Sequence, residues 1–142
     1  FEELIFNSFN EKGIHISRIK TRITQYKGDN EVADFYTYND GVLLYIEAKS
    51  TQANRFSFSM IQPTQAVGLH KQSKYKGVYG GILVEMRKFK RVFYVPIEEI
   101  NNFLGKKKVS MNIEDLENNA IEIKKNKYLE IDNLHKEVVK WT

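Results

Sequence analysis

Asp34, Glu47 and Lys49 are residues whose types and spacing could do chemistry together. They lie in the stretch Ala33–Ser50, which is rich in aromatic and β-branched residues and is broken once, at Asn39-Asp40-Gly41. That pattern predicts two strands joined by a tight turn, with Asp40-Gly41 as its loop. The turn sets the register. Asn39 faces Val42, Phe35 faces Ile46 and Asp34 faces Glu47. Facing residues point to the same side of a sheet. Ala33, Phe35, Thr37, Leu44, Ile46 and Ala48 then share one largely apolar face. Asp34, Tyr36, Tyr38, Leu43, Tyr45, Glu47 and Lys49 share the other.

Like charges directly opposite each other destabilise a sheet. A divalent cation between the two carboxylates removes the conflict, because Mg²⁺ takes carboxylate oxygens and keeps several waters. A lysine beside such an ion can offset charge that develops on a phosphate. The set therefore points to metal-assisted attack on a phosphodiester. The competing reading is a surface hairpin with scattered charges. Glu-x-Lys alone does not decide between them, since the chain holds a second copy, Glu122-Ile123-Lys124. That copy has no aspartate at matching spacing. The facing Asp34 is what sets the first copy apart.

The chain has 142 residues, 42% of them hydrophobic, with nine Phe and eight Tyr. This is enough for one folded domain, 1–142, with its own core. No apolar run is long enough for a membrane span. The start, Phe1-Glu2-Glu3, has no basic-then-apolar leader pattern and no Met, which leaves room for upstream residues. Cysteine is absent, so there is neither a disulfide framework nor a thiolate metal site, compatible with the cytoplasm. Net charge is +4 and unevenly spread. Lys12–Lys27 holds five basic residues and no acid, and Lys71–Arg91 holds seven against Glu85 alone. Two basic stretches flanking the hairpin suit a phosphate backbone.

The elements that must position the hairpin can be read in order. Phe1, Leu4, Ile5 and Phe9 have helical spacing, ended by Gly13. Glu2 and Glu3 in its first turn either complement the helix dipole, the favoured reading, or bring one carboxylate to the metal. Ile14–Ile23 reads as a strand with a wet basic face carrying Arg18, Lys20 and Arg22, candidates for phosphate contact. Thr51–Ser59 is a polar loop or strand extension beside the site. There Asn54 and Arg55 could hold a base or phosphate, while Phe56 and Phe58 are candidates for the core. Pro63 opens a helix to about Tyr75. Gln65 falls in its first turn, at the end nearest Glu47 if the loop doubles back, and Lys71 and Lys74 add phosphate candidates further along. Val78–Met86 and Arg91–Val95 are strands joined by Arg87–Lys90. A short helix follows over Ile97–Leu104. The mixed stretch Ile113–Lys127 carries no clear signal, and Asp132 caps a last helix, Asn133–Trp141. His15, His70 and His135 have no recognisable catalytic partners.

Asp34, then twelve residues, then Glu47-Ala48-Lys49 resembles the PD-(D/E)xK nuclease motif. More closely, the chain resembles the RecU family of Holliday-junction resolvases. Tyr45–Lys49 is similar to that family's strand ending Glu-Ala-Lys. Asn54, Arg55, Phe56 and Ser57 resemble its polar loop, Gln65 matches the glutamine that opens its next helix, and the Gly80-Gly81 strand followed by Phe93-Tyr94-Val95 fits its next hairpin. The likeness covers Val32–Leu104. It implies a homodimeric enzyme that cuts four-way DNA junctions with Mg²⁺ or Mn²⁺, with recombination proteins as further partners. It implies metal contacts by Asp34, Glu47 and Gln65, and transition-state stabilisation by Lys49. Two features depart from the family pattern: Val32 stands where the family has a threonine, and Tyr26–Glu31 is short where the family has a stalk.

The expectation is therefore an α/β domain of the PD-(D/E)xK nuclease type, a mixed five-stranded sheet flanked by helices. Two other readings remain at this point. One is a homing- or restriction-type nuclease that reads duplex sequence. The other is a catalytically silent DNA-binding domain, against which the intact acidic pair and lysine argue.

Overall fold

The computed structural model describes residues 1–19 and 33–141. The helical spacing at the start forms α1 (Glu2–Glu11), which buries Ile5 and Phe9. Gly13, at φ +68°, reverses the chain as only a residue free of a Cβ does cheaply. There follow β1 (His15–Arg18), β2 (Phe35–Asn39) and β3 (Val42–Thr51). The turn between β2 and β3 places both Asp40 and Gly41 at positive φ, +50° and +79°, the backbone that Asp-Gly supplies for a two-residue hairpin. The register is the expected one, Asn39 opposite Val42 and Phe35 opposite Ile46.

Next come β4 (Phe56–Ser57), a single 3₁₀ turn (Phe58–Met60) and α2 (Pro63–Gln72). The chain then enters β5 (Val78–Met86), a second 3₁₀ turn (Arg87–Phe89), β6 (Arg91–Pro96) and α3 (Ile97–Gly105). It ends with β7 (Ser110–Met111), α4 (Ile113–Asn119), β8 (Ile121–Ile123) and α5 (Leu134–Trp141).

The main sheet runs β1-β2-β3-β5-β6-β8. The pair β3–β5 is parallel and the other pairs are antiparallel. A parallel pair needs a crossover, and α2 provides it. Alternation along β5 feeds two cores. Leu83 packs with Ile5, Phe9, Phe35, Leu44, Ile46 and Tyr94 on the face covered by α1 and α5. Ile82 and Val84 pack with Phe56, Leu69, Phe93, Phe103 and Leu116 on the face covered by α2, α3 and α4. A strand buried on both sides reads as a continuous apolar run, as Ile82-Leu83-Val84 does.

The class is mixed α/β, as expected, but among the described residues the main sheet has six strands rather than five. The sixth, β8, comes from the stretch with no clear signal. Its three residues bury Ile121 and Ile123 against β6 and expose Glu122, too short a run for alternation to stand out. Ala33 also departs from expectation. It packs with Phe56 and Ile82, on the face opposite Phe35. Regular pairing ends at Phe35. The Asp34 N–H donates to the Ile46 carbonyl at 3.1 Å and the chain bends there.

Candidate active site

Glu47 stands on β3, a strand with neighbours on both sides, and only 2% of its surface is exposed. Its Oε2 accepts a hydrogen bond from Gln65 Nε2 at 2.9 Å and pairs with Lys49 Nζ at 3.0 Å. Its Oε1 is buried and has no partner. Lys49 lies two residues along the same strand and so points to the same face. Asp34, half-buried at the bend before β2, is fixed by the backbone: its Oδ2 accepts from the Ala48 N–H at 2.8 Å. That N–H is part of the site, yet no residue type in the sequence announces it.

Burial is the main force that raises the Glu47 carboxyl, to about 7, and the nearby Asp34 charge raises it further. Lys49 pulls it the other way. A protein gains nothing in stability from a buried carboxylate with one oxygen unpaired beside a second acid. A cation at Oε1 and Asp34 would relieve both costs, so the residues present fit one. Among the described residues no three His, Cys, Asp or Glu side chains form a ligand cluster. The donor set is two carboxylates, which suits an ion that keeps much of its water.

Gln65 reaches the site because α2 begins beside it. Gly80 on β5 lets α2 come close: a Cβ there would stand 3.0 Å from Leu69 Cδ2. The Gln65 Oε1 accepts from the Gln62 N–H at 3.3 Å at the start of the helix. This contact orients the amide, so its nitrogen, not its oxygen, faces Glu47.

The other predicted contacts are not gathered here. Arg18 turns to the opposite face, where it lies over the rings of Phe6 and Phe35 and pairs with Glu3 at 3.1 Å. Asn54 accepts from Lys88, and Arg55 donates to Ser110 at 2.8 Å. Lys71, in the last turn of α2, and Lys74, just past its end, line an apolar cavity of about 1080 Å³ shared with α3. Lys20, Arg22, Val32 and Tyr26–Glu31 lie outside the described residues. The second Glu-x-Lys serves packing: Glu122 pairs with Arg91 at 2.6 Å, and that contact holds its carboxyl below the usual range.

The mixed sheet thus brings Asp34, Glu47 and Lys49 together at one end of the β2–β3 hairpin. The fold is similar to Hjc, a Holliday junction resolvase from the archaeal hyperthermophile Archaeoglobus fulgidus. The TM-score is 0.65 at 12% identity, over 86% of this chain and 93% of that one. No curated protein sequence matches the chain. The model of the RecU family, Recombination protein U, matches residues 8–138, and the chain belongs to that family of Holliday-junction resolvases.

Proposed function

We propose that this chain is a single-domain endonuclease that resolves four-way DNA junctions at the Asp34–Glu47 pair, using Mg²⁺ or Mn²⁺. The observation that carries this reading is the buried, unpartnered Oε1 of Glu47 beside a second carboxylate. Asp34 and Glu47 would hold the ion, which when bound supplies a Lewis acid and lowers the pKa of a water. Ala48 N–H fixes Asp34. Gln65 fixes Glu47 through Nε2. Lys49, its side chain 20% exposed, offsets charge that builds on the phosphate as the bond to the leaving oxygen breaks.

A four-way junction is close to two-fold symmetric, so a two-fold homodimer suits it, one site for each of two strands. Recombination proteins and a cytoplasmic location belong to the same proposal. Among the described residues no helix is long and apolar enough to cross a membrane.

The test is cleavage of a synthetic four-way junction and of duplex of the same sequence, with Mg²⁺, with Mn²⁺ and with EDTA. Paired nicks confined to the junction and lost in EDTA are expected. Equal cutting of duplex would favour a sequence-reading nuclease, and cutting in EDTA would refute the metal.

A further inference from the structure

The turn joining β5 to β6 is a basic element that the reaction at Glu47 leaves unused. Arg87, Lys88, Phe89 and Lys90 are all exposed, Phe89 by 39%. Arg87, Lys88 and Lys90 have no carboxylate partner among the described residues. The next residue, Arg91, is claimed by both Glu117 and Glu122. The contrast is chemical: Arg91 is spent on packing, and the three before it are not.

The turn is also fixed in place. Met86 and Val92 on either side are buried. Lys90 closes the 3₁₀ turn at φ +54°, with its N–H donating to the Arg87 carbonyl at 3.2 Å. Thr51, the last residue of β3, is paired with Met86. The turn thus begins beside a residue two positions beyond Lys49, roughly 7 Å along the strand. Lys88 bonds to Asn54, in the loop that leaves β3. A cavity of about 400 Å³ opens next to it, lined by Arg87, Lys90, Lys125 and Asn126 as well as Glu85 and Val92. The turn therefore leaves the sheet at the same end as Lys49.

We propose that Arg87-Lys88-Phe89-Lys90 is a branch-sensing DNA contact. The three cations hold backbone phosphates flanking the bond that is cut. Phe89 stacks on a base face left open at the branch point. Aromatic platforms among cations bind exposed bases in this way, and apolar side chains enter distorted base steps. Continuous duplex presents no open base face. The cations therefore strengthen binding to any DNA, while Phe89 strengthens binding to the junction. The inference rests on the junction nuclease reading above.

The test is binding of a four-way junction and of matched duplex in EDTA, across a salt series. The proteins are wild type, Arg87→Ala/Lys90→Ala, Phe89→Ala and Phe89→Trp. The double variant should weaken binding to both DNAs and flatten the plot of log affinity against log salt by about two. Phe89→Ala should weaken junction binding about fivefold or more, with the salt slope and duplex affinity unchanged, and Phe89→Trp should restore it. Thermal unfolding of each variant checks that the fold is kept. A double variant with the wild-type slope, or Phe89→Ala with wild-type junction preference, overturns the proposal. If wild type cuts the junction in Mg²⁺ while the variants bind as it does, this inference alone falls. If wild type neither prefers nor cuts the junction, the nuclease reading falls with it.

Discussion

Gln65 Nε2 donates to Glu47 Oε2 at 2.9 Å, while the other oxygen of the same carboxylate is buried without a partner. The amide thus holds one oxygen of Glu47 and leaves the other empty, with the Asp34 charge nearby. A partner that orients a ligand typically changes metal affinity by about 10–100-fold. Gln65→Ala should raise the Mg²⁺ concentration needed for half-maximal cleavage by about tenfold, with junction affinity in EDTA unchanged. Initial rates over a Mg²⁺ series measure this, and an unmoved curve would contradict it.

Lys49 is held by Glu47 and reaches the surface of the site. Lys49→Ala should slow single-turnover cleavage by about 10²–10³-fold at saturating metal, in line with the loss of one aimed electrostatic contact. Junction binding should stay near wild type. Asp34→Asn should abolish cleavage outright, and a variant that still cuts would remove Asp34 from the metal pair.

The pH dependence has a definite sign. Burial first, and the Asp34 charge second, raise Glu47 from 4.5 to about 7 in the folded protein. Without metal, its contribution to stability is full below about 4.5 and is lost as pH rises toward 7. Metal must displace this proton, so Mg²⁺ affinity should fall up to about tenfold per unit below pH 7. Thermal unfolding in EDTA at pH 5 and pH 8 should show the slope in wild type and lose it in Glu47→Gln.

His135 acts in the opposite sense. It is buried, meets Thr37 Oγ1 through Nε2 at 2.6 Å, and burial lowers its pKa from 6.5 to about 4 against a weaker pull from Asp40. Its stabilising effect is lost as pH falls from 6.5 through 4. Thr37→Val leaves Nε2 unpaired in the core and should cost about 1–3 kcal/mol in urea denaturation near pH 7.

The paired glycines of β5 should separate stability from activity. A Cβ on Gly81 would stand 2.5 Å from both Tyr94 Cζ and the Val95 carbonyl oxygen, and backbone cannot yield. Gly81→Ala should destabilise by about 1–3 kcal/mol. A Cβ on Gly80 meets the flexible end of Leu69 at 3.0 Å. Gly80→Ala should cost less stability but push α2 outward with Gln65, and so raise the metal requirement.

The hairpin was legible because Asp40-Gly41 fixes its register from Asn39 to Phe35; Asp34 lies just past that pairing, at a bend where the Ala48 N–H holds its carboxylate. The helices α1, α2 and α3 and the strands β5 and β6 were legible from spacing and from proline and glycine. Arg18 has the parity of Ile16, so strict alternation puts it on the face of Phe35; its charge marked it as wet, and its head is exposed beside Glu3 while its stem lies over Phe6 and Phe35. The facing of the Gln65 amide was not legible, since it depends on Gln62 at the start of α2 and on how far Gly80 lets that helix descend. Nor was the empty oxygen of Glu47, which burial beneath α2 creates. Arg91 and Glu122 were ambiguous charges in sequence and became a packing pair only once β8 met β6.

The most direct measurement compares wild type and Glu47→Gln on one four-way junction, for affinity in EDTA and for cleavage in Mg²⁺. The substitution keeps the size of the side chain and removes the charge that would hold the ion. Equal affinity with paired nicks from wild type and none from the variant is the result this account predicts. Cleavage by Glu47→Gln at the wild-type rate would contradict it, and would place the chemistry away from the hairpin.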